Sequence, residues 1–128
     1  MPSVKRLQHT SIPMPAGGDE DARAFYGQVL GMREIPKPEG LAAMTVVWFA
    51  ANDAGDEVHV FKEEHLGPNS AEQHLCLEVD DIEAYKTRLR EHGYAVRVPE
   101  TIANRPRLFV RDPFDNLIEL VEIRGQYV

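Results

Sequence analysis

Four side chains of types that bind divalent metals stand at matching places along the chain: His9, His59, His74 and Glu119. Each lies in a short run of strand-forming residues, "RLQHTSI", "EVHVF", "QHLCLEV" and "LIELVEI" respectively. Neutral imidazole suits zinc, nickel, iron, cobalt or copper, and a carboxylate widens the range to manganese. A single strand histidine is more often a hydrogen-bonded structural residue than a ligand, and one strand glutamate usually faces solvent. The argument for a site is that the four share a pattern. Alternate strand side chains point to one face. His74 therefore goes with Cys76 and Glu78, opposite Leu75, Leu77 and Val79, and His59 goes with Glu57 and Phe61, opposite Val58 and Val60. Glu119 goes with Leu117 and Val121, opposite Ile118 and Leu120, and His9 shares a face with Leu7 and Ser11. If a helix covers each apolar face, all four can line one concavity and hold a single divalent metal (Zn, Ni, Fe, Co or Mn). Glu119 would then be a carboxylate whose charge the metal neutralises. A histidine-lined pocket without metal is the competing reading.

Two helices would position these strands. In "DEDARAFYGQVLG", Ala22, Phe25, Tyr26, Val29 and Leu30 form the stripe of a half-buried helix, with acidic residues in its first turn and Gly31 as its stop. In "DDIEAYKTRLREHG", Ile82, Tyr85 and Leu89 form the stripe, and Asp80 with Glu83 resembles a capping box ended by Gly93. The remaining strand-like runs are "GMREI", "AMTVVWFA", "GYAVRV" and "RLFVRD". Each half then reads strand–helix–strand–strand–strand. Trp48 to His59 spans 11 residues, and so does Leu108 to Glu119, across the turn-forming segments "NDAGDE" and "DPFDNL". This register pairs His9 with His74 and His59 with Glu119, as an internal repeat would.

Composition bounds the function. With 21 acidic and 14 basic side chains the net charge is −7, which disfavours nucleic-acid binding. No run is long and apolar enough to cross a membrane, and the N-terminal "MPSVKRLQHTSI" lacks the apolar core of a signal peptide. The single cysteine, Cys76, has no intrachain partner, which points to a reducing cytoplasm.

The motifs together resemble the vicinal oxygen chelate superfamily, which includes glyoxalase I, bleomycin-resistance and fosfomycin-resistance proteins, and extradiol dioxygenases. "LQHTSIPM" looks like its first metal strand, "ARAFYGQVLGM" like its first helix, and "QHLCLEVDDIEAYKTRLREHGY" like the start of its second module. "RLFVRDPFDNLIELVE" resembles its closing "DPxGNxxEL" hairpin, with Asp115 where glycine is usual. The resemblance implies an α+β fold over 1–128, with two βαβββ modules (about 1–65 and 70–128) forming a cupped mixed sheet around a central cleft. By position it makes His9, His74 and Glu119 metal ligands. It puts His59 at or near the place where glyoxalase I has a glutamate, although Glu57 shares that face. It also implies a homodimer and a small oxygen-chelating organic substrate. The activity would be that of a lyase, isomerase or dioxygenase, with Glu119 the catalytic carboxylate. Arg105 and Arg107 are candidates to meet an anionic substrate, although arginines beside a proline turn are more often solvated. The rival class is a metal-free protein of the bleomycin-resistance type that sequesters a cationic drug, which the acidic charge suits and the ligand-like residues do not.

Overall fold

Strand alternation becomes a division between core and face. In β1 (His9–Met14), Ile12 and Met14 are buried while His9 and Ser11 are exposed. The computed structural model describes every residue, Met1–Val128, and the chain divides into two compact units, Met1–Leu66 and Gly67–Val128.

The first unit is built from β1, a helix α1, β2 (Arg33–Ile35), β3 (Val46–Ala50) and β4 (Glu57–Lys62). Its sheet has the order β1-β4-β3-β2, with β1 and β4 parallel and the other neighbours antiparallel. The helix begins as one α-turn, Asp19–Ala22, and widens into a π-helix over Arg23–Val29. The sequence pattern suggests an ordinary α-helix. The wider turn has a packing rationale, because it brings residues four apart into line. Ala22, Tyr26 and Leu30 form one row and Phe25 and Val29 the next, and all five are buried. They pack over β3, where Phe49 is fully buried against Tyr26. Gly31 ends the helix at φ +82°, a left-handed conformation that glycine adopts without strain.

The second unit holds β5 (Leu75–Glu78), α2 (Ile82–Glu91), β6 (Arg107–Arg111) and β7 (Leu117–Val121). Its sheet order is β5-β7-β6, with β5 and β7 parallel. Ile82 and Leu89 of α2 are buried, as are Leu108, Val110, Ile118 and Leu120. "GYAVRV" does not form a full strand. It contributes one bridge, Arg97 to Phe109, closed by two backbone hydrogen bonds, and Pro99 then removes the N–H that a longer ladder would need. The N-cap of α2 is Asp81 rather than Asp80: its Oδ1 accepts from the Ala84 N–H at 3.0 Å. The second acceptor comes from the end of the last strand, where Glu122 takes the Ile82 N–H at 3.0 Å, and Glu83 pairs with Lys86 instead.

The two units share a register. Ser11 lies opposite His59, and His59 opposite Trp48, while Cys76 lies opposite Glu119, and Glu119 opposite Phe109. The residue two beyond the first-strand histidine thus meets His59 in one half and Glu119 in the other. Phe109, not Leu108, is the counterpart of Trp48. The connecting loop is one residue shorter in the second half, and Leu108 is in the core. No helix is long and apolar enough to cross a membrane.

Candidate metal and substrate site

In the first half, β1, β4 and β3 bring three rings into one stack. The His59 ring lies against Trp48 with centroids 3.3 Å apart and against His9 with centroids 4.2 Å apart. His59 is buried, and its Nε2 meets Glu57 Oε1 at 2.9 Å; the indole N–H of Trp48 donates to the same oxygen at 3.2 Å. Burial, first of all, lowers the pKa of His59, and nearby His9 acts in the same direction. Glu57 is held below the usual carboxylate range, chiefly by the hydrogen bond from His59. Both shifts agree with a neutral His59 donating Nε2–H to an ionised Glu57. Gln8 extends the network. It hydrogen-bonds Glu57, and its Oε1 lies 2.6 Å from His9 Nδ1. An amide oxygen only accepts, so His9 carries its proton on Nδ1 and leaves the Nε2 lone pair bare.

In the second half, β5 and β7 bring His74 and Glu119 together. His74 Nδ1 is 2.6 Å from the carbonyl oxygen of Glu72, so it too must be the donor. His74 Nε2 faces Glu119 Oε1 at 2.9 Å. A lone pair does not face a carboxylate oxygen at that distance without a proton or another cation between them. Glu119 is only 8% exposed, a costly place for an unpaired charge. Its other oxygen is 3.6 Å from the Arg107 guanidinium, and the Cys76 thiol also hydrogen-bonds to it. Burial, then the neighbouring Glu119, pushes the Cys76 pKa up to about 11, so this thiol is protonated at neutral pH.

The structure therefore associates His9 with His59 and His74 with Glu119. No three His, Cys, Asp or Glu side chains stand together as a metal-binding group. The donor chemistry nonetheless fits a metal. His9 and His74 each have Nδ1–H fixed by an oxygen, the arrangement that orients Nε2 for coordination. His59 is held the other way round, with Nε2 spent on Glu57. Arg105 donates to the carbonyls of Asn104 and Gly125 and lies over the Tyr127 ring, so it fastens the C-terminal segment. Arg107 borders Glu119 directly. Trp48, Gln8, Phe109 and Arg97 take part in these surroundings without having stood out as candidates; the hairpin register, which puts Trp48 and Phe109 opposite His59 and Glu119, is the signal that leads to the two aromatics.

The model of the glyoxalase/bleomycin resistance protein/dioxygenase superfamily matches residues 6–120. A glyoxalase family protein from Bacillus anthracis is 33% identical, with 96% of this chain and 98% of that one covered and a TM-score of 0.86. TnmS3, an antibiotic-binding protein from Streptomyces, is 23% identical over 96% of this chain and 99% of that one, with a TM-score of 0.73. The fosfomycin resistance protein FosX from Listeria monocytogenes is 15% identical over 97% and 96%, with a TM-score of 0.77. At these lower identities the likeness is one of fold. No curated protein sequence matches the chain.

Proposed function

Because the chain belongs to the glyoxalase/bleomycin resistance protein/dioxygenase superfamily, we propose that it is a metal-dependent enzyme acting on a small organic substrate with neighbouring oxygen atoms. Its chemistry is that of a lyase, isomerase or dioxygenase. His9, His74 and Glu119 are the ligands, a set that draws on both halves of the chain. The observation that carries this reading is the pairing of His74 Nε2 with Glu119 Oε1 at 2.9 Å while His74 Nδ1 is already committed to a carbonyl.

The chain's own groups have distinct tasks. Gln8 and the Glu72 carbonyl hold His9 and His74 in the tautomer that bares Nε2. Glu119 supplies negative charge from a buried position, and it serves as a proton acceptor only when one of its oxygens is released from its partners. Cys76, protonated at neutral pH, serves as a hydrogen-bond donor to Glu119 rather than as a nucleophile. A divalent metal bound by these residues supplies Lewis-acid stabilisation of the oxyanion formed when a proton leaves the adjacent carbon. A homodimer in the cytoplasm completes the reading, supported by the family and by the lone cysteine.

Calorimetric titration of untagged protein with Zn²⁺, Ni²⁺, Co²⁺ and Mn²⁺ tests the proposal. Saturable binding of about one ion per chain, lost in the His9→Ala/His74→Ala variant, is expected. If the double variant binds as the parent does, or neither binds, the metal-free sequestering reading takes its place.

A further inference from the structure

The second-half sheet gathers arginines on the face that carries Glu119. Residues directly opposite each other across paired strands point to the same side. Cys76, Glu119, Phe109 and Arg97 form one such row across β5, β7, β6 and the adjoining bridge. Arg107, two residues before Phe109 on β6, falls on this face as well. The two guanidinium groups flank one ring: Arg97 lies over Phe109 at 4.5 Å from the ring centroid, and Arg107 at 5.7 Å.

Neither cation is fully used. Arg97 makes no ion pair, and its side chain forms no hydrogen bond; its links to Phe109 are backbone bonds and the ring contact. Arg107 donates one NH2 bond to the Glu100 carbonyl, and its NH1 is 3.6 Å from Glu119, beyond a proper hydrogen bond. Its Nε is buried with no acceptor at all. A buried unsatisfied N–H is costly, and native proteins rarely keep one without a use. Glu119, the carboxylate best placed to compensate Arg107, is already engaged by His74. In a chain of net charge −7, this is a local excess of unneutralised fork-shaped donors. Paired guanidinium groups over an aromatic platform recognise planar or tetrahedral oxyanions, which can accept from both.

We propose that Arg97 and Arg107 form an oxyanion subsite beside Glu119, and that the ligand bears a carboxylate or phosphonate group. The subsite rests on the preceding reading only in that the ligand's reactive end lies toward Glu119; the anion binding itself needs no metal.

The test measures binding of methylphosphonate, propionate and neutral propionamide by NMR titration of metal-stripped and zinc-treated protein. Saturable binding of one or both anions, with propionamide at least about tenfold weaker, is expected in the stripped protein. The relative affinities of methylphosphonate and propionate identify which oxyanion the fork prefers. Arg97→Gln, at an exposed position, should leave the melting temperature unchanged and weaken anion binding by about tenfold, and Arg97→Lys should recover only part of it. Anions binding no better than propionamide, or Arg97→Gln binding them like the parent, would overturn the proposal. Failure of zinc to bind, with anion selectivity intact, would overturn the metal reading and leave this one standing.

Discussion

Trp48 and His59 lie face to face, with ring planes 18° apart, and both donate an N–H to the same oxygen of Glu57. The pair forms a bracket with one open side, and the ring of His9 lies on that side. The pattern of residue types marks His59 as a ligand candidate. The geometry gives it another task, because its Nε2 is committed to Glu57 and the stack fixes the plane of His9.

The two roles separate cleanly by substitution. His59→Phe keeps a flat ring between Trp48 and His9 but has no donor atom, so it should retain metal affinity to within about threefold. His59→Ala removes the ring and should weaken binding by about tenfold or more, the usual cost of losing a group that orients a ligand. If His59 is itself a ligand, both variants lose affinity alike. Titration with Co²⁺, read by calorimetry and by the visible absorption of the bound ion, distinguishes the cases.

Glu119→Gln should weaken metal binding and also destabilise the metal-free protein. A carboxylate crowded only by apolar neighbours would gain from neutralisation. Here the carboxylate is paired with His74 and lies near Arg107, and the amide leaves both short of an anion. Breaking a fully buried pair costs about 3–5 kcal/mol. His74 is 31% exposed at its side chain, so about 1–2 kcal/mol is the expected loss, measured by urea denaturation in the presence of chelator. Unchanged stability together with an unchanged metal isotherm would remove Glu119 from the site.

The two-module plan was legible because period-two strands, two apolar helix stripes and two helix-stop glycines are local signals that burial then enforces; Gly31 and Gly93 both have positive φ. The faces of His59 and Glu119 were legible for the same reason. Three features were not. The register of the second hairpin depends on loop length, and one residue fewer moved the partner of Glu119 from Leu108 to Phe109. The cap of α2 uses Glu122, 40 residues from the N–H it accepts, and a local capping pattern cannot reveal that. The tautomers of His9 and His74 depend on Gln8 and on a backbone carbonyl, neither of which is distinctive as a residue type.

Cys76 reports on the charge of Glu119. With its pKa at about 11, its alkylation by iodoacetamide should be slow at pH 8 and should rise towards that value. Glu119→Gln removes two of the causes of the shift, so the midpoint should move down while burial keeps it above that of a free thiol. The sign for stability follows from the same shift. The unfolded thiol, with its pKa near 9.0, releases its proton first, so Cys76's contribution is fully present below pH 9 and is lost as the pH rises towards 11. Replacement by serine should flatten that decline. A midpoint that does not respond to Glu119→Gln would show that the carboxylate does not act on the thiol.

Asp115 holds a backbone conformation better suited to another residue. Its φ is +71°, in the left-handed region where a side chain other than glycine's carries a steric cost. The turn is otherwise well tied: Asp112 Oδ1 accepts from the N–H groups of Phe114 and Asn116, and the Asp115 carbonyl accepts from Asn69 and Arg111. Those last two bonds use the backbone, so they survive loss of the side chain. The Asp115 carboxylate itself offers only an exposed contact with Arg111 at 3.7 Å, which is worth little. Asp115→Gly should therefore raise stability by about 0.5–1 kcal/mol, the relief at φ outweighing the extra freedom of glycine in the unfolded chain. Asp115→Ala should lower it, because alanine keeps the steric cost without the local hydrogen bonding that helps aspartate tolerate this region. Denaturant midpoints for the two variants check both signs, and a glycine variant less stable than the parent would mean that the carboxylate contributes more than its exposed contact suggests.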